Sequence, residues 1–206
     1  MNRKVFINCP FDNKFFPILK SILFSLLYLK FEPLISETTD FGQSRFEKIS
    51  AFIDDASFSI HDLSRTESVE KTPWYKKDKI ILPRMNMPFE LGVAFGYKFA
   101  KNQTKNFLIL ESTKYQTQKV LSDLAGRDPF CHNNDPELAV KGVRNWLNPN
   151  FPNEAMPKHT DIYALYEEFK YENDPILKGE GIDPNDIGDS QFTDIINEIK
   201  SWIDNL

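Results

Sequence analysis

Short β-forming runs alternate with helical apolar patterns through the first 147 residues, and this alternation most constrains how the chain folds. Val5-Phe6-Ile7, the stretches 32–36 and 106–110, Phe58-Ser59-Ile60 and the stretch 129–132 are too short for helices and rich in β-branched or aromatic residues. Between them, helical spacing runs over 16–30, 44–55, 87–99, 116–125 and 136–147. Strands joined through helices pair in parallel by right-handed crossovers, which covers both faces of the sheet with helices. The expectation is a flavodoxin-like three-layer α/β/α domain over 1–147, with a parallel sheet of about five strands in the order 2-1-3-4-5.

The first helix pattern carries two adjacent apolar rows, Ile18, Ile22, Leu26 and Leu29 beside Leu19, Leu23 and Leu27. It reads as a helix buried on most sides. Lys20, Ser21, Ser25 and Lys30 keep it below the roughly 18–20 continuous apolar residues of a membrane span, so no membrane association is expected. In the second helix Phe46, Ile49, Phe52 and Ile53 are expected to face inward. Residues 66–83 show no clear period and carry Pro73, Trp74, Lys76, Lys77 and Lys79, which fits either a lid or a plain surface loop. Gly92 and Gly96 lie four apart and permit close backbone approach, to the sheet or to a partner helix in a homo-oligomer. Prolines and asparagines over 148–158 break the pattern. Beyond them 161–171 and 191–206 read as two helices of a C-terminal extension, 148–206, packed on the core.

The 25 basic and 30 acidic residues leave a net charge of −5, against general nucleic-acid or anionic-membrane binding. Cys9 and Cys131 have no metal-ligand spacing, so neither a metal site nor a disulfide is expected, and a reducing cytoplasmic compartment fits. No GxGxxG, GxxxxGK[ST] or GxSxG occurs, so no cofactor is expected.

In parallel sheets ligands bind at the carboxyl ends of the strands. There this chain places Asn8, Pro10, Phe11 and Asp12, then Glu37 and Asp40, then His61-Asp62-Leu63-Ser64-Arg65, and Glu111. The segment Asn86-Met87-Pro88-Phe89-Glu90-Leu91-Gly92 reads as a helix opening, with Asn86 as N-cap and Glu90 just inside, where the helix dipole would keep a carboxylate ionised. Asp12, Glu37, Asp40, Arg45, Asp62, Arg65 and Glu90 would converge on one acidic pocket with two arginines. Such a set suits cleavage of a glycosidic bond, whose transition state develops positive charge on the sugar; it equally suits a ring of salt bridges at loop ends. His61 reads as a hydrogen-bonding strand-end residue rather than a general base. An acidic mouth would keep the Cys9 thiol protonated.

These residues resemble the superfamily that joins TIR domains to nucleoside 2-deoxyribosyltransferases. Lys4-Val5-Phe6-Ile7-Asn8 is similar to the first TIR strand, Phe89-Glu90-Leu91-Gly92 to the segment bearing the transferases' nucleophilic glutamate, and Asp62-Leu63-Ser64 to their strand-end acidic element. The string VFINCPFD, HDLSR, MPFELG, SDLAGRD looks like an uncharacterised bacterial branch. The resemblance implies cleavage of the N-glycosidic bond of a nucleoside, nucleotide or NAD, by hydrolysis or transfer, and a place among bacterial defence effectors. It makes Glu90 the nucleophile and Asp62 a substrate-positioning or base-side carboxylate. Asn8, Pro10 and Phe11 would form the loop touching sugar or base, with Asp12, Glu37, Arg45, Ser64, Arg65 and Asn86 as further binding residues. Cys9-Pro10-Phe11 stands where the transferases usually carry a glycine-rich loop. The rival expectation is a module of the same fold that has lost catalysis and senses a nucleotide or scaffolds an assembly.

Overall fold

The computed structural model describes residues 2–36, 44–65, 68–71, 80–83, 85–101, 104–121, 124, 128–188 and 191–206. A parallel five-stranded sheet carries the fold: β1 (Lys4–Asn8), β2 (Glu32–Ile35), β3 (Phe58–Asp62), β6 (Asn106–Glu111) and β7 (Phe130–Cys131). Their spatial order is β2-β1-β3-β6-β7, with every pair parallel. Counted along this sheet alone, that is the expected order 2-1-3-4-5 of a flavodoxin-like α/β fold. Between β3 and β6, β4 (Ser68–Lys71) and β5 (Ile80–Pro83) pair antiparallel. The aperiodic insertion thus contains a two-stranded ribbon, invisible to a search for period because each strand is four residues long.

Alternation along the strands sends side chains to two different helical layers. Val5, Ile7, Phe58, Ile60, Leu108 and Leu110 face α1 (Phe16–Tyr28) and α5 (Pro136–Leu147). Phe6, Phe107 and Ile109 face α2 (Arg45–Asp55) and α3 (Asn86–Ala100). The two apolar rows let α1 pack on both its sides: one row covers the sheet, and the other is roofed by α6 (His159–Gly179) and α7 (Phe192–Asp204), all in one continuous core. Phe24 sits at that junction, its ring against Tyr28, Tyr166, Phe169 and Trp202. No helix among the described residues is long and apolar enough to cross a membrane.

Local chemistry fixes the helix ends. Asp12 accepts from the Phe15 N–H (3.0 Å) ahead of α1, Ser44 and Glu47 form a reciprocal capping box on α2, and Asp135 with Pro136 opens α5. The buried Lys105 ammonium closes the other end of α2, donating to the Ile53, Asp54 and Ala56 carbonyls.

Several expectations are corrected. Phe46 is half exposed: as the second residue of α2 it overhangs the helix end and meets Phe89 instead of the core. Asn86 is already helical, the N-cap is Met85, and no side chain caps the turn. Gly92 and Gly96 make no close approach among the described residues, since a Cβ at either would meet nothing there within 4 Å. Helix α4 (Gln116–Val120) is shorter than its pattern. Helix α6 (His159–Gly179) is longer than the expected 161–171, starting two residues earlier and continuing through Pro175.

Candidate functional site

The carboxyl edge of the sheet is where β1, β3, α2 and α3 meet. Asn8 ends β1 and is buried; its carboxamide nitrogen reaches the Met87 carbonyl of α3 at 2.9 Å and His61 Nδ1 at 3.0 Å. Both amide hydrogens are thereby used, one on the helix opening and one on the neighbouring strand. His61, facing Phe6 and Phe107, is fully buried, and burial pulls its pKa down to about 3. Its Nδ1 accepts from Asn8, so the ring proton lies on Nε2, which has no partner among the described residues. The Asn8–His61 pair therefore braces the start of α3. Asn8, expected to touch substrate, instead holds the backbone that carries Glu90.

Glu90 is the fifth residue of α3 and is 7% exposed. It lies beyond the first turn, where the dipole effect has faded, and burial raises its pKa; this reverses the expected cause, because what favours its ionised form here is the Arg45 guanidinium, 3.8 Å away. Arg45 stands at the N-terminus of α2 with its guanidinium 5.7 Å from the Phe11 ring. Below this pair lies the buried Cys9 thiol, whose pKa burial and the charges of Asp62, Glu90 and Asp12 push well up. That leaves a protonated thiol and no nucleophile. On the far side of the loop Arg65 Nε faces Asp12 at 3.4 Å.

Asp62 departs most from expectation. Strand alternation turns it toward the α1/α5 side, where it is wholly buried. One carboxylate oxygen accepts from the Ser64 N–H (2.9 Å) and the other from His132 Nε2 (3.0 Å). His132 Nδ1 accepts from the Asn134 N–H (3.1 Å), which puts the ring proton on Nε2, and Ser64 Oγ shares that proton at 3.1 Å. Ser64, expected to bind substrate, is itself buried in this network. The triangle shapes the loop that delivers Arg65 to Asp12, and neither Asp62 nor Ser64 is open to a ligand. Glu111 is likewise a cap, accepting from the Tyr115 and Thr117 N–H groups.

The structure thus gathers Phe11, Asp12, Arg45, Arg65 and Glu90 at one mouth. Asn8 and buried Pro10 lie behind it. Asn86 is exposed at the start of α3, and Glu37 and Asp40 fall outside the described residues. Sequence reasoning missed His132, which lies 70 residues from Asp62 with no motif linking them, and Phe46 and Phe89, which pass for core residues until their exposure is seen. Among the described residues no three His, Cys, Asp or Glu side chains are grouped to hold a metal ion. Comparison with family models, curated proteins and solved structures finds no match for this chain.

Proposed function

We propose that this protein cleaves the N-glycosidic bond of a nucleoside, nucleotide or NAD, with Glu90 as the nucleophile. The observation that carries the reading is the Glu90 carboxylate itself. It is largely withdrawn from water at the ligand-binding edge of a parallel sheet, with Arg45 as its counter-charge. A carboxylate raised in pKa by burial is a more basic nucleophile once ionised, and low local polarity strengthens its hold on an oxocarbenium-like sugar. In this scheme a Glu90 oxygen bonds to C1′ as the C1′–N bond breaks and the bonding electrons go to the base; a nucleoside base then takes a proton from water, whereas the cationic nicotinamide of NAD leaves neutral without one. Water or an acceptor then releases the sugar from the ester. Asp62 takes no direct part; it positions the Ser64–Arg65 loop.

The test is chromatographic detection of free base after incubating the protein, and its Glu90→Gln variant, with NAD and a panel of ribo- and deoxyribonucleosides and their phosphates. Base released by the unmutated protein alone supports the assignment. Release by both removes Glu90 from the chemistry. Silence across the panel favours a second reading, a nucleotide-binding module without catalysis, which the sealing of Asp62 behind His132 also supports.

A further inference from the structure

Two of the large apolar side chains left exposed in this molecule, Phe46 and Phe89, meet beside the mouth just described, and a third, Phe11, flanks it with its ring against Phe192 of α7. Phe11 (37% exposed) comes from the loop after β1, Phe46 (50%) from the first turn of α2, and Phe89 (59%) from the first turn of α3. They are not scattered: the Phe46 and Phe89 rings are in contact, centroids 5.9 Å apart and tilted by 42°, and the Arg45 guanidinium lies 5.7 Å from the Phe11 ring. Phe46 and Phe89 each adjoin a member of the charged pair in sequence, Arg45-Phe46 and Phe89-Glu90, so the ring pair lies at the same two helix openings as the ion pair, exposed where Glu90 is buried.

Size indicates what such a surface can hold. At about 200 Å² per phenylalanine side chain, the exposed fractions of Phe46 and Phe89 present roughly 220 Å² of ring. A stable protein partner buries about 800 Å² on each side, several times what these two rings offer, and interface cores are depleted of carboxylates such as Glu90. A single planar heteroaromatic ring system fits both features, stacking its face on the rings and offering edge donors and acceptors to the charges. The contact between Phe46 and Phe89 leaves no slot between them, so the ligand ring lies on their outer face. We infer that Phe46 and Phe89 form the base-docking surface of this site, on which a nucleobase stacks with its sugar directed to Glu90. This rests on the proposed N-glycosidase reading for the role of Glu90, and it adds where the base sits and what selects it. Because every base has a π-face, the surface selects for an aromatic leaving group more than for one particular base.

The experiment separates docking from turnover by measuring binding alone. Saturation-transfer NMR and calorimetry are run with adenosine, guanosine, cytidine, thymidine and base-free ribose 5-phosphate. The proteins are the unmutated chain, Glu90→Gln, the Phe46→Ala/Phe89→Ala double variant and its leucine counterpart. Both rings are half exposed, so the double variants should melt with the parent. The nucleosides should bind Glu90→Gln, which does not consume them, with base protons most strongly saturated, and the alanine variant should bind them about 5- to 100-fold more weakly than the parent. Leucine, apolar but without a π-face, should restore only part of that loss. Equal binding to parent and double variant overturns the inference, as does ribose 5-phosphate binding as tightly as the nucleosides. So does a concentration-dependent dimer that the double variant abolishes, because the rings would then serve a second copy of the chain. Binding that follows the rings without base release would uphold the docking surface and sink the glycosidase reading; base release undiminished in the double variant would do the reverse.

Discussion

The two helical layers of this molecule are built on different terms. The α1/α5/α6/α7 side is a continuous core: thirty buried residues among those described, many aromatic, interlock from the sheet to α7. Among the described residues, the α2/α3 side has small clusters of five and four buried residues. Unsatisfied groups sort the same way. The buried polar atoms without a partner among the described residues are Ser36 Oγ, Ser50 Oγ, Ser59 Oγ, His61 Nε2 and Thr117 Oγ1, and none lies on α1, α5, α6 or α7. Every such group costs stability, about 1–3 kcal/mol if no water reaches it. The molecule therefore concentrates its stability on one face of the sheet and tolerates cost on the other, the side that carries Arg45, Glu90 and the exposed rings. Functional edges are commonly less stable than the scaffold that supports them.

The largest expected effect tests the strong side. Phe24→Ala removes the ring that joins α1 to α6 and α7 and should cost about 3–5 kcal/mol in denaturant unfolding. Leu91→Ala, in a small cluster beside Glu90, should cost about 2–3 kcal/mol and yet depress base release more than Phe24→Ala does under conditions where both variants are folded. If the two truncations cost the same, the layers do not differ in cohesion and the comparison fails.

Asp62→Asn comes next, because the Asp62–His132–Ser64 triangle is a buried polar cluster on the strong side that reaches toward the site. An asparagine can still accept from the Ser64 N–H, but its NH2 then opposes the His132 Nε2–H, donor against donor. A loss of about 2–4 kcal/mol is expected, read as a lowered melting temperature. A variant that melts with the parent but fails to bind nucleosides would return Asp62 to the ligand.

That reassignment shows what the sequence could disclose. Sheet order was legible because it follows from alternation and crossover handedness, and α5 matches its expected range, 136–147, because Asp135-Pro136 is an unambiguous start. Glu90, Arg45, Phe11 and Asp12 were legible as neighbours once the sheet edge was fixed. The environment of Asp62 was not, because strand alternation turns it to the opposite face from Glu90 and its partner comes from beyond β7. Nor was the sign of the Glu90 shift, since burial by α2 and the β1 loop is tertiary and outweighs the local helix dipole. The outward turn of Phe46 was hidden for a similar reason: apolar period marks a helix face, but the first turn of a helix can project past the layer it covers.

His61 sharpens the weak side. Its folded pKa of about 3 lies below the usual 6.5, so between those values the unfolded chain binds the proton that the native state refuses. Stability is then fully present above pH 6.5 and falls with acid, by about 2 kcal/mol at pH 5 from this group alone. His61→Gln keeps an acceptor for Asn8 and cannot titrate. Unfolding free energy measured from pH 7 to 4 should fall less steeply in the variant by close to one proton, and identical slopes would mean that His61 protonates in the native state.

The smallest effect concerns the exception on the strong side. Lys20 lies in the middle of α1, almost wholly buried, its ammonium 3.5 Å from Asp174 and 3.2 Å from the Pro184 carbonyl. Burial lowers its pKa from 10.5 against the raising pull of Asp174. Just below pH 10.5 the unfolded chain therefore holds a proton that the folded chain has begun to lose, and stability rises with pH through that window. Lys20→Met fills the same volume without the charge. At neutral pH the lost ion pair and the removed desolvation cost nearly cancel, and Asp174, one-fifth exposed, can be hydrated, so the change should stay within about 1 kcal/mol. The alkaline rise should flatten relative to the parent, while the part due to Lys105, whose pKa burial also lowers, stays common to both proteins. A loss of several kcal/mol instead would make Lys20 a clamp between α1 and the C-terminal helices, and the cohesion of the strong side would then depend on a buried charge as well as on apolar contact.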